Sequence, residues 1–126
     1  MQATRQDFER AGNAYNERFA KFEEFCEAAL EIPAIPTMTI ERPRPDVLSI
    51  RYLNATYEMW FGFIEPEPHR YYGQITSCMV DPFDDSKRTA KRQLPFDRLG
   101  NIGPDLPHAN MCLPDDTEKV ILELLV

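Results

Sequence analysis

The sequence predicts an α+β domain: a long N-terminal helix packed on a four- to five-stranded antiparallel sheet, with a short C-terminal helix. Three observations predict it. Apolar residues recur at spacings of three and four from Phe8 to Leu30. From Asp46 to Val80 the period changes to two. Eleven prolines in 126 residues punctuate the patterned segments and bound them. That length suits one domain spanning residues 1–126, long enough to bury a core.

The first helix spans Thr4 to about Leu30. Thr4 can cap the first turn, and Asp7 stands at the third helical position of a capping box. Phe8, Ala11, Tyr15, Phe19, Phe22, Phe25, Cys26, Ala29 and Leu30 form one stripe, and glutamates fill the other side. Pro33 stops the helix. At ~40 Å it matches or exceeds the width of a domain this size. It therefore lies across the whole sheet, or its projecting part meets a second copy or another protein.

Residues 32–46 form an extended connector held by four prolines, with room for a short strand at residues 37–40. The connector also contains the Pro-x-x-Pro spacing at Pro33 and Pro36, a common chance pattern. Leu48, Ile50 and Tyr52 then alternate with Ser49 and Arg51 as a half-buried strand. A tight turn is expected at Asn54-Ala55. In the next strand Tyr57, Met59, Phe61 and Phe63 share the face toward the helices. Glu58, Trp60, Gly62 and Ile64 lie on the other. Glu65-Pro66-Glu67-Pro68 ends that strand. His69 to Val80 is the third strand, rich in β-formers, with neither face cleanly apolar.

Asp81 to Ser86 is a turn; its sixth and twelfth positions, Ser86 and Arg92, exclude a calcium loop of the usual pattern. Lys87 to Phe96 reads as a fourth strand. Strict alternation places Arg88 and Arg92 on one face and Lys87 and Lys91 on the other. A basic edge of this kind resists aggregation, or it receives an anion or an acidic patch. Asp97 to Pro114 is a long loop with room for a short strand near Asn110 to Leu113. Asp115 or Asp116 caps a final helix with Thr117 and Glu118 in its first turn and Val120, Ile121, Leu122, Leu124 and Leu125 after them, although alternation of Val120, Leu122, Leu124 and Val126 also fits a strand.

Composition narrows the function. The formal net charge of −7 disfavours nucleic acid and anionic membranes and suits a basic partner. No apolar run approaches ~20 residues, so no membrane span is expected. The polar N-terminus carries no secretory pattern, and three widely spaced cysteines fit reduced thiols, which together point to the cytoplasm. His108 and Cys112 stand four apart but between prolines, and no second ligand pair accompanies them, so no metal site is expected. Cys78 or Cys112 with His69 or His108 could meet in space, but nothing in the spacing selects them. No catalytic or cofactor motif is present.

By elimination, the expectation is a non-enzymatic cytoplasmic protein-binding module of chaperone, immunity or inhibitor type. It is expected to be homodimeric and to use its sheet and helix surfaces. Trp60, Ile64, Tyr72, Arg88 and Arg92 are its candidate partner-binding residues. The alternative is a small-molecule-binding or hydrolytic enzyme with a pocket between sheet and helix. Trp60 decides much of this. The Asp97–Pro114 loop is expected to cover it; left uncovered, it becomes a binding anchor.

Overall fold

The computed structural model describes residues 4–33 and 35–126. Ala34, inside the proline connector, lies outside the described residues. Helix α1 spans Arg5–Leu30, and Thr4 closes a full capping box with Asp7. Strands follow at Met38–Arg44 (β1), Val47–Tyr52 (β2), Ala55–Glu67 (β3), Arg70–Val80 (β4) and Arg88–Phe96 (β5). Two short strands, Asn101–Ile102 (β6) and Met111–Cys112 (β7), flank a 3-10 turn, and helix α2 spans Thr117–Leu125. The strands pair in chain order, every pair antiparallel, as one seven-stranded meander.

Seven strands replace the expected four to five. The connector supplies one, and Pro43 is tolerated in it because the register shifts between Glu41 and Arg44 and takes the proline out of regular pairing with β2. The long loop supplies the other two, each of only two residues. β7 falls inside the short strand expected near Asn110 to Leu113, whereas β6 carries too little periodicity to be read from sequence.

Two boundaries move. The first turn falls at Leu53-Asn54, not Asn54-Ala55: both residues have positive φ (51° and 68°), and Tyr52 pairs directly with Ala55. That is the geometry of a two-residue primed hairpin turn. β3 also runs past Pro66 to Glu67, because the register shifts between Ile64 and Glu67 and takes the proline out of regular pairing.

The core lies between the helices and one sheet face. Phe22, Phe25, Cys26 and Ala29 of α1 meet Leu48, Ile50, Met59, Ile75, Leu94 and Phe96, with Val120, Ile121 and Leu124 of α2. Phe61 is the aromatic hub, with ring centroids 5.3–6.4 Å from those of Tyr15, Phe19, Phe22 and Phe96. The buried Arg18 guanidinium donates to the Tyr71 carbonyl at 3.1 Å and ties mid-helix to β4.

The length of α1 has a partner inside the chain. Its 26 residues span ~39 Å, and the 13 residues of β3 span ~43 Å. The first turn therefore reaches the β3–β4 hairpin tip, where Asp7 lies 3.9 Å from His69. The stripe is not uniformly buried, however: Phe8 is 70% exposed.

The C-terminal segment is a helix. The Asp116 carboxylate does not cap its own helix; it accepts instead from the backbone N–H of Cys112 at 2.8 Å, fastening β7 to α2.

Candidate functional site: the helix-free face of the sheet

Both helices pack on the Met59–Phe61 side of the sheet. α1 contacts Phe61, and α2 reaches β4 and β5 through Ser77, whose hydroxyl donates to the Leu124 carbonyl at 2.8 Å. Strand alternation sends Trp60, Ile64 and Glu58 to the opposite face. Among the described residues, neither the connector nor the long loop forms a layer over Trp60, and the cover expected from the Asp97–Pro114 loop is not there. The connector joins the sheet as edge strand β1. The loop continues the sheet beyond β5 as β6 and β7 and buries Ile102 and Leu113 in the core. Trp60 is half-buried by its neighbours in the sheet itself.

Those neighbours hold the indole in place. Arg44, Val47 and Trp60 stand opposite one another across β1, β2 and β3. The Arg44 guanidinium carbon sits 4.5 Å from the ring centroid, a cation–π arrangement. On the other side, the indole N–H donates to Glu58 Oε1 at 3.2 Å. Glu58 is itself pinned by Arg88, whose Nε donates at 2.6 Å and Nη2 at 3.3 Å. The Arg88 hydrogen bond holds the Glu58 carboxyl below its ordinary pKa, so it stays ionised as an acceptor. Cys78 faces the same carboxylate at 4.0 Å. Arg44, Trp60, Glu58 and Arg88 thus form one polar–aromatic row across strands β1 to β5.

Four of the five candidate residues share this face. Ile64 stands opposite Tyr72 on β3 and β4, beyond Gly62 and Gln74. Arg92 does not join them. The register shifts between Ser77 and Cys78, so Cys78 pairs with Ala90 while Ser77 pairs with Arg92. One extra residue in β5 reverses the alternation. Arg88 stays on the helix-free face. Arg92 turns to α2, where Nη1 bonds the Glu123 carboxylate at 2.9 Å and the Glu123 carbonyl at 3.2 Å. Lys91 follows it, lying over Tyr57 and donating to the Leu125 carbonyl.

Sequence reasoning missed Arg44. It lies in the proline connector and becomes Trp60's neighbour only through the pairing of two hairpins. A shallow depression of about 440 Å³, lined by Thr39, Glu41, Ser49, Arg51 and Thr56, continues the face toward β1.

The middle of the sheet–helix interface is filled by Phe22, Phe25, Phe61 and Phe96, and at its edge a groove of about 240 Å³ lies between the end of α1 and β1, lined by Ala29, Leu30, Met38 and Ile40 among others. His69 is exposed on the hairpin turn, and His108 is exposed beside Asp105. Among the described residues, no group of three His, Cys, Asp or Glu is placed to hold a metal ion. No described helix is long and apolar enough to cross a membrane.

All three cysteines are free thiols. Burial pushes the Cys26 thiol up to about 12. Cys78 is raised by burial and then by the Glu58 carboxylate, and Cys112 by burial and then by Asp115. Raised thiols react slowly. Alkylation of the native protein, read by mass spectrometry, should therefore modify the half-buried Cys112 first and the fully buried Cys26 last. Early modification of Cys26 would contradict the packing of α1 on the sheet.

Comparison with protein-family models, with curated proteins and with solved structures gave no match.

Proposed function

We propose that the protein is a non-enzymatic, cytoplasmic protein-binding module of the chaperone, immunity or inhibitor type. It docks another protein on the helix-free face around Trp60, Ile64 and Tyr72, with Arg88 at the rim. The observation that carries this reading is the fixed indole of Trp60 on a sheet face that no helix covers. Aromatic side chains dominate interface hot spots, and an anchor already held in one orientation loses little entropy on binding. Glu58 and Arg88 supply that orientation while neutralising each other. The chain's net charge of −7 favours a basic partner through long-range steering. The same reading includes a homodimer, for which the exposed Phe8 on the first turns of α1 supplies an apolar contact.

The test compares matched baits. Wild type, Trp60→Ala and a control substitution on the outer side of α2, Leu122→Ser, are used in parallel. A partner of this face is retained by wild type and by the control. Trp60→Ala should weaken its binding by ~2 kcal/mol or more. Loss of the stacked cation and the hydrogen bond should cost only ~1–2 kcal/mol of stability. Equal retention by all three baits would remove Trp60 from the interface.

A further inference from the structure

We propose that the projecting edge of β3, at residues 62–65, takes up an extended segment of the partner as an added strand, with basic side chains on the helix side and aliphatic ones on the helix-free side. This rests on the reading that the helix-free face receives another protein, and it names the chemistry of the segment that reaches the edge of that face. β3 outruns its neighbour. β2 begins at Val47, which pairs with Trp60, and just beyond that pair Phe61 N–H donates to the Asp46 carbonyl at 3.0 Å. From there β3 continues to Glu67 with β4 on one side and, among the described residues, no strand on the other. Because Phe61 N–H points toward β2, antiparallel alternation turns both backbone groups of Phe63 to the same side, onto the open edge. The register shift after Ile64, together with Pro66, ends the regular stretch and limits pairing to a short segment.

An added strand sends alternate side chains to the two sides of the sheet, and the groups on each side set what fits there. On the helix side Phe63 meets Tyr15 edge-on at 5.5 Å between ring centroids, and Tyr15 remains 42% exposed. The Tyr71 phenol, whose ring stacks on Phe63, is raised by burial and then by the Glu65 carboxylate, which puts that carboxylate on the same side. Glu65 is exposed and has no ion-pair partner among the described residues. A lysine or arginine can therefore lay its stem along Tyr15 and Phe63 and bring its charge to Glu65. On the helix-free side the edge carries Gly62 and Ile64, opposite the uncharged Gln74 and Tyr72, so an aliphatic side chain fits. The nearest cations stand at the Asp46 end and are engaged: Arg42 donates to the Pro45 carbonyl, and Arg44 lies over Trp60 and beside Asp46. A two-fold pairing of this edge with a second copy would put both unpaired Glu65 carboxylates on the same side of one short ladder, so charge selects a basic segment of another protein.

The experiment uses the full chain and fluorescent, capped peptides alternating valine and lysine. Anisotropy titration should show saturable binding, weakened about 10-fold when lysine is replaced by glutamate. Glu65→Lys, at an exposed position, should reverse that preference. Amide hydrogen exchange then locates the peptide: Phe63 N–H, on the open edge in the free chain, should exchange about 10-fold or more slowly in the complex. No binding by the valine–lysine peptide overturns the proposal. Binding that leaves Phe63 unprotected, or that protects the amides of β1 instead, also overturns it. The Trp60→Ala bait comparison is scored separately, so the face can stand where the edge fails. Sedimentation showing a dimer whose formation protects Phe63 would overturn the proposal in favour of a second copy as the occupant.

Discussion

Phe22→Ala should lower the unfolding free energy by ~3–5 kcal/mol, the range for a large aromatic truncated in a core that cannot collapse onto the gap. Phe22 is fully buried. Its ring lies 5.5–6.4 Å from those of Phe19, Phe25 and Phe61, on α1 and β3. Two of these neighbours are fixed on the same helix, and the third belongs to the central strand, so none can move to fill the space. Chemical denaturation gives the value directly. Phe8→Ala, four turns earlier in the same stripe, should change stability by no more than ~0.5 kcal/mol, because Phe8 is 70% exposed. Similar losses at the two positions would contradict the placement of α1.

Gly73→Ala should cost ~2–3 kcal/mol by crowding, the opposite mechanism. Gly73 pairs with Phe96 across β4 and β5, and the Phe96 ring lies flat over it. A Cβ at Gly73 would come within 2.1 Å of Phe96 Cζ. Phe96 is fully buried and meets Phe61 behind, so the ring cannot retreat. The diagnostic measurement is the double mutant. Phe96→Leu alone leaves a cavity, and Gly73→Ala alone overfills the site. Together they should destabilise by ~1 kcal/mol or more less than the sum of the two. Strict additivity would mean that the ring does not occupy the glycine's space.

Gly73 also shows where sequence reading stops. β4 looked apolar on neither face because its inner face contains Gly73 and Ser77. Both residues make sense only with their neighbours present. The glycine leaves room for a ring on the next strand, 23 residues later, and the serine hydroxyl is satisfied by the last turn of α2. By contrast, α1, its capping box and the inward set Tyr57, Met59, Phe61 and Phe63 were legible, because local periodicity and capping chemistry encode them. The strand count was only partly legible: the short strands expected at residues 37–40 and near Asn110 to Leu113 correspond to β1 and β7, but the two-residue β6 leaves no periodic trace. The separation of Arg88 from Arg92 was hidden for a related reason. A bulge inserts one residue, and nothing local marks it.

The site was half legible. Trp60 and Ile64 share one face of β3, as alternation implied, and the register of β4 and β5 adds Tyr72 and Arg88 to it. The cover over Trp60 was misjudged, because the segments available to cover it joined the sheet instead of crossing it. Arg44, and the chain from Arg88 through Glu58 to the indole, depend on cross-strand register across four hairpins, β1 to β5.

Trp60 is the chain's single tryptophan, so its fluorescence reports on one position alone. Acrylamide quenching of the native protein tests most directly whether the helix-free face is open. An open face gives red-shifted emission that acrylamide quenches readily in the native state, and that becomes only modestly more quenchable on unfolding. Blue-shifted emission protected from acrylamide until the protein unfolds would contradict it, because a layer would then lie over Trp60 and the face could not receive a partner.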